Sequence, residues 1–304
     1  MRITFYDVGQ GLSALVVLPD GRRILVDTGE HASRGGCEPA CRVWSDHLRG
    51  ALAKDLPDKR LDAIWITHQH SDHMGNAVDL LGDLTVALYV DNGTGLGTEP
   101  RRRTQVDRAH EAARARRVRV VTVDPANPEV PLASTADVKL RAVLPKGDWG
   151  ARCTDDPNDC SIALRVDYCR SSVLFMGDAE RGEESRIEVE PAGVLQVGHH
   201  GSDTSTTDAF VSRVRPAWAV ISAAKRGEGT NATYCHPRRS VVERLSRATG
   251  GERTRPMEVF EGTSCRKAGA TDWTTIAVDD HVLLTARDGD VRLVTTGDGT
   301  FTRE

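Results

Sequence analysis

The segment Thr67-His68-Gln69-His70-Ser71-Asp72-His73 puts three histidines and one aspartate into six residues, in a chain that holds only 10 histidines. Imidazole nitrogens and carboxylate oxygens are suitable ligands for zinc, manganese or iron. His68 and His70, two residues apart, can reach one ion from an extended turn. Asp72 and His73 can reach a second ion from the start of the following helix. The bland alternative is a surface histidine cluster, and the more distant ligand candidates weigh against it. These are Asp178, in Phe175-Met176-Gly177-Asp178, and the pair in Gly198-His199-His200-Gly201-Ser202. A Gly-Asp pair after a strand is by itself usually just a turn. In this order with the histidine run, it marks a carboxylate able to bridge two cations that share a hydroxide of lowered pKa.

Those side chains need a frame that brings distant segments to one edge. Short apolar runs supply it, each ending in a polar residue or a turn former: Ile3 to Tyr6, Ile24 to Val26, Ala63 to Ile66, Val173 to Met176, Val194 to Val197 and Trp218 to Ile221. Their lengths and β-branched content predict buried or half-buried strands. Helices are predicted between them over 41–56, over 72–81 with Asp72 near the start, and over 104–117, 207–214 and 238–248. The tail, 282–296, reads as two strands around Asp288-Gly289, a hairpin signal. Strands and helices alternate along the whole length, with no obvious repeat or linker. The expectation is one α/β domain over 1–304.

Composition narrows the function. The 304 residues carry a net charge of −4, with 28% charged and 5% aromatic residues. That balance argues against charge-driven coating of nucleic acid, though not against a local groove. Arg101, Arg102 and Arg103, and separately Arg114 to Arg119, read as solvated helix faces when taken alone. No apolar stretch is long enough for export or for a membrane span, so a cytoplasmic location is expected. The seven cysteines are odd in number and untidily spaced. Cys37 with Cys41, or Cys153 with Cys160, could form a disulfide or half of a zinc site, but reduced thiols are the default expectation.

The HxHxDH run, with Asp27 before it and Asp178 and a later histidine after it, resembles the signature of the metallo-β-lactamase superfamily. Within it, Asp7-Val8-Gly9-Gln10-Gly11, the run Asn158 to Leu164, Gly177-Asp178-Ala179-Glu180, Val197 to Ser202 and Cys235-His236-Pro237 are similar to the C-terminal hydrolase domain of ComEC-type competence proteins. The likeness covers most of 1–250 and resumes at the closing strands, 283–299. It implies a four-layer αββα sandwich with two divalent ions, zinc or manganese with magnesium also allowed, at one edge. It implies a nuclease, with DNA favoured over RNA as the bound partner.

Carried over residue by residue, the resemblance gives His68 and His70 one ion and gives Asp72, His73 and His199 the other, with Asp178 bridging. His199 is favoured over its neighbour His200. Asp72 and His236 are the expected catalytic residues, His236 as proton donor to the leaving oxygen. Asp27 would orient a ligand from behind. Asp7, Asn158, His200, Ser202 and Lys225 are expected to support the ligands or meet substrate. Asn158 stands where many superfamily members place another histidine, an asparagine that the ComEC-type domains share. Its amide oxygen is a harder and weaker ligand, which favours manganese or magnesium over zinc at the first position. Residues 251–280 look like an insertion without an assigned role, a substrate-facing flap or a partner surface.

Three functions remain in play: a nuclease, a hydrolase of a small phosphodiester, lactone or thioester, and a non-catalytic regulatory module. The full ligand set argues against the last. A regulatory protein partner is compatible with any of them.

Overall fold

Period-two alternation sets the layers. In β2 (Ala14–Val17) and β3 (Arg23–Val26), Ala14, Val16, Ile24 and Val26 point into one apolar cluster, and Leu15 and Leu25 point into another. β9 (Ser171–Phe175) divides in the same way, with Val173 and Phe175 on one side and Leu174 on the other. Strands buried on both faces must be covered on both faces, and that requirement produces four layers.

The computed structural model describes residues 1–97, 103–146, 153, 156–265, 269 and 272–304. One sheet adds β1 (Arg2–Phe5), β4 (Arg60–Trp65), β5 (Thr85–Asp91), β6 (Arg119–Thr122), β15 (Val291–Val294) and β16 (Thr302–Arg303), in the order β16-β15-β1-β2-β3-β4-β5-β6. The other adds β7 (Val138–Val143), β8 (Ala163–Tyr168), β10 (Val194–Gln196), β11 (Trp218–Ile221) and β14 (Val282–Leu284), in the order β14-β11-β10-β9-β8-β7. The sheets pack face to face. Phe5 meets Phe175 at 5.7 Å between ring centroids, and the Trp65 indole N–H donates to the Ile162 carbonyl at 2.9 Å.

Helices α1 (Ala40–Asp55), α2 (Ser71–Met74), α3 (Ala77–Asp83) and α4 (Gln105–Ala115) follow strands of the first sheet, and Leu48, Leu80 and Ala109 pack on its outer face. α5 (Asp208–Val214) and α6 (Arg239–Ala248) cover the second sheet through Phe210, Val242 and Leu245. Thr104 caps α4 in a reciprocal box with Asp107, and the Thr207 hydroxyl accepts from the Phe210 N–H at 3.2 Å. Such caps contribute about 1 kcal/mol each. The αββα architecture matches the expectation.

Three local expectations are corrected. The helix over 72–81 is two helices, α2 and α3. A Cβ on Gly75 would lie 2.3 Å from the His31 nitrogen, and the Asn76 amide donates to the carbonyls of Thr28 and Glu30, so this joint is pressed onto the loop after β3. The tail is not a hairpin. β14 pairs in parallel with β11 in one sheet, and β15 pairs antiparallel with β1 in the other. The intervening turn is organised by the Asp288 side chain, 0% exposed, which accepts from the Leu284 N–H and pairs with Arg255, Arg287 and Arg303.

The third correction concerns the thiols. Cys37–Cys41, Cys153–Cys160 and Cys235–Cys265 are disulfides, and only Cys169 is free. Spacing could not reveal Cys235–Cys265, because the partners are 30 residues apart. Cys265 lies between β12 (Thr254–Phe260) and β13 (Trp273–Asp279), an antiparallel pair that forms its own two-stranded sheet. Met257, Val259 and Val278 of that pair join the cluster around α6.

Candidate metal centre

The parallel strands of both sheets end on one edge, and the chemistry-bearing residues leave from those ends. β3 runs into Asp27, β4 into Thr67 and His68, β9 into Asp178, and β10 into the turn Gly198–Gly201. Open sheets commonly place ligands at such carboxyl ends. Here two sheets present theirs to the same cavity, of about 580 Å³.

Asp72, His73, Asp178 and His200 each offer one ligand atom, and all four atoms lie within 4.8 Å of one another. The His73 Nε2 is 3.2 Å from Asp178 Oδ1, and the His200 Nε2 is 3.4 Å from Asp178 Oδ2 and 3.3 Å from Asp72 Oδ2. His68 and His70 lie alongside, with His68 Nε2 3.1 Å from His70 Nδ1 and 4.0 Å from Asp178 Oδ2.

Behind these groups, Asp27 is wholly buried. Its carboxylate accepts from the Thr67 N–H and hydroxyl, each at 2.7 Å, and meets His73 Nδ1 at 2.7 Å. His200 Nδ1 is fixed by the Ser222 carbonyl at 2.7 Å. In both rings the far nitrogen is occupied and Nε2 is turned inward, an arrangement common for metal-binding histidines.

Of the two adjacent histidines, the structure brings His200 rather than the expected His199 up to Asp72 and Asp178. Both residues have positive φ, 48° and 54°, inside the turn Gly198–Gly201. Side chains rarely adopt this conformation, and it sends the two rings in different directions. His200 faces Asp72 and Asp178. His199 turns its Nδ1 to Glu180 Oε1 at 3.1 Å and Thr204 Oγ1 at 3.0 Å, leaving its Nε2 3.9 Å from Asp178.

Other expected residues fall in different places. Asn158 lines the cavity from the turn Pro157–Cys160, next to Glu180. His236 is buried at its rim, with Nδ1 3.1 Å from the Gln10 amide nitrogen. Asp7, by contrast, lines a separate depression with His47 and Asp290, because the Gly9 turn carries Gln10 rather than Asp7 toward the cavity. Lys225 lines that depression and a second groove, not the metal cavity. The Ser202 hydroxyl serves its own turn, 3.1 Å from Thr204 Oγ1. Arg101 and Arg102 lie outside the described residues, and Arg103 pairs with Glu111 at 2.5 Å. Sequence reasoning missed Gln10 and Glu180 as site residues, although both stand within the motifs that signalled the site.

The electrostatics of the cluster suit a cation. Burial alone would raise the Asp178 pKa, but the charges of His200, His73 and His199 hold it well below the usual carboxylate range. Burial would lower His200, and Asp178 with Asp72 overcomes it and lifts the ring to about 10. His73 is likewise raised against burial, by Asp178 and Asp27. The carboxylates thus favour the charged forms of His73 and His200, whereas burial and the charge of His73 hold His68 well below the usual imidazole range. Asn158 Oδ1 is buried with no hydrogen-bond partner among the described residues, and Asp178 Oδ1 meets only the His73 Nε2, at 3.2 Å. Open acceptors beside imidazole nitrogens fit a divalent ion.

Comparison with known proteins places the chain in a family. The model of the metallo-beta-lactamase superfamily matches residues 6–224. ComE operon protein 3 of Bacillus subtilis (strain 168) is 31% identical over 257 residues, which cover 81% of this chain and 30% of that protein. Recombination protein 2 of Haemophilus influenzae is 31% identical over 245 residues, covering 79% of this chain and 26% of that protein. Competence protein ComA of Neisseria gonorrhoeae is 30% identical over 249 residues, covering 80% and 29%. The chain therefore spans less than a third of the length of these curated relatives. Among the described residues, no helix is long and apolar enough to cross a membrane.

Proposed function

The chain belongs to the metallo-β-lactamase superfamily, and we propose that it is a metal-dependent phosphodiesterase acting on nucleic acid, DNA in preference to RNA. The observation that carries this reading is the convergence of Asp72, His73, Asp178 and His200 at a cavity lined by His70, with His68 buried 4.0 Å from Asp178. His68 and His70 would hold one divalent ion, and Asp72, His73 and His200 the other, with Asp178 between them. Bound there, two cations would lower the pKa of a water and neutralise charge on the attacking and leaving oxygens of a phosphodiester.

The chain's own residues do the remaining work. Asp27 and the Ser222 carbonyl hold His73 and His200 in the tautomer that leaves Nε2 free to bind. Gln10 is itself oriented by the Ala224 N–H on its carbonyl oxygen, so its amide NH2 faces His236 Nδ1. His236 is then neutral with its N–H on Nε2, from which it can donate a hydrogen bond to an oxygen of the substrate. The resemblance to competence proteins supports DNA as the substrate. Asn158, where a histidine would favour zinc, supports manganese or magnesium at the first position.

The test is cleavage of end-labelled linear and circular DNA by purified protein supplied with manganese, magnesium or zinc, beside His68→Ala. Cleavage that requires both metal and His68 is expected. Metal-loaded protein that leaves every nucleic acid intact would move the substrate to a small phosphodiester, lactone or thioester, a reading that the net charge of −4 favours.

A further inference from the structure

A second groove, of about 270 Å³, adjoins the metal cavity and shares His236 with it. One wall is β12 and β13, which contribute Pro256 and Trp273. The opposite wall has Pro237 and Leu284, and Lys225 and Arg226 stand at the rim. The groove thus joins an apolar slot, an aromatic ring and two cations, directly beside the residue placed nearest the leaving group.

The aromatic ring is held in place. Trp273 sits edge-on to Phe260 at 5.4 Å between centroids, and the Arg226 guanidinium lies 5.8 Å from the Trp273 ring centre. Lys225 is exposed and makes no ion pair among the described residues, while Arg226 reaches Glu258 only at 3.5 Å. The slot is also indexed to the metal centre. Cys235, adjacent to His236, is bonded to Cys265 in the segment that joins β12 to β13. The hairpin therefore cannot drift away from the rim of the catalytic cavity without carrying His236 along.

We propose that this groove is a nucleobase subsite, which seats one unpaired base of the strand whose phosphodiester lies at the metal centre. The inference rests on the phosphodiesterase reading above and sharpens it. A base offers a π-face to Trp273 and Arg226, and its backbone phosphate offers a negative charge to Lys225, a combination that binds single strands without reading sequence. A base kept paired in a duplex cannot enter a slot of this size, so the enzyme acts where the strand is single or frayed.

The experiment measures binding of the manganese-loaded full chain to a phosphorothioate-linked oligothymidine, in which one abasic unit is walked along the strand. The same preparation is assayed for hydrolysis of bis(p-nitrophenyl) phosphate. One abasic position is expected to weaken binding by roughly 5- to 150-fold, the worth of one stacked base. Trp273→Ala should show a similar loss on the intact strand and no abasic position effect, and Trp273→Phe should restore most of it. Because Trp273→Ala can disturb the hairpin, Lys225→Ala supplies an independent reading. It should lower the slope of log affinity against log salt by roughly 0.7, one phosphate contact on a single strand.

A flat abasic walk, with Trp273→Ala binding as tightly as the parent protein, overturns the subsite and leaves the phosphodiesterase reading standing. Hydrolysis of the small diester without binding of the strand overturns the subsite and the nucleic-acid substrate together. Neither hydrolysis nor binding overturns the whole reading.

Discussion

Asp27→Asn is expected to weaken metal binding by roughly 10- to 100-fold, the usual cost of losing a group that orients a metal ligand. The reason is a tautomer. Asp27 accepts three hydrogen bonds, from the Thr67 N–H, the Thr67 hydroxyl and His73 Nδ1, each at 2.7 Å. Asparagine has the same shape but only one acceptor oxygen. The backbone N–H of Thr67 cannot move, so it keeps that oxygen, and the amide NH2 turns to His73. A donor now faces Nδ1, which must give up its proton to accept. The proton then sits on Nε2, the atom 3.2 Å from Asp178 Oδ1 and the one needed for a metal. Holding the ring in the other tautomer forfeits one charge-assisted hydrogen bond, about 1.5–3 kcal/mol. At about 1.4 kcal/mol per tenfold, that agrees with the expected loss. The assay is competition for manganese against a fluorescent chelator, with circular dichroism to check the fold. Asp27→Ala serves as comparison. A merely structural Asp27 predicts that asparagine, which preserves shape, does far better than alanine. An asparagine variant that binds manganese as tightly as the parent protein refutes the tautomer argument.

His200→Ala should lose more metal affinity than His199→Ala in the same titration, because only His200 faces both Asp72 and Asp178; equal losses would return His199 to the ligand set. Unfolding without reductant in the presence of iodoacetamide should label Cys169 and none of the other six cysteines, read by mass spectrometry; seven labelled cysteines exclude the three bridges. Burial lifts the Asp7 carboxyl from 3.8 to about 6. A raised pKa means that the folded chain binds the proton more tightly, so this contribution to stability is complete below about pH 4 and is lost as pH rises through 6. Asp7→Asn should therefore stabilise the fold at pH 8 by about 1–3 kcal/mol, seen as a higher thermal midpoint, and change little at pH 4; equal effects at both pH values count against the burial argument.

What was legible in the sequence was whatever depends on neighbours along the chain. The strands ending at Val26, Trp65, Phe175 and Ile221 follow from apolar runs stopped by polar residues, and the histidine run follows from residue types at short spacing. What stayed hidden depends on contacts between distant segments. No local pattern says that Asp288 will be buried by arginines from three places, yet that burial turns the expected tail hairpin into a crossing between two sheets. His199 and His200 are adjacent and chemically identical, and two left-handed backbone conformations decide which one faces the carboxylates. Gln10 stood in the Asp7 to Gly11 motif, but a motif does not say which of its members the Gly9 turn will aim at the cavity.

The arrangement also explains where the cross-links lie. Most of the proposed ligands are carried on strand ends and on a short helix start, which the two sheets hold rigid without further help. Asn158 and His236 have no such support, since each sits on irregular chain. The turn with Asn158 ends at Cys160, bonded to Cys153, and His236 follows Cys235, bonded to Cys265. Cys37, bonded to Cys41, lies against Gly229, in the loop that leads toward His236. A reactive centre needs its groups held to within about half an ångström, and irregular loops cannot reach that precision by packing alone. The bridges fall where the sheets do not reach. Breaking Cys235–Cys265 should therefore loosen His236 and the β12–β13 wall while leaving Asp72, His73, Asp178 and His200 in place, so that metal binding survives and substrate handling suffers.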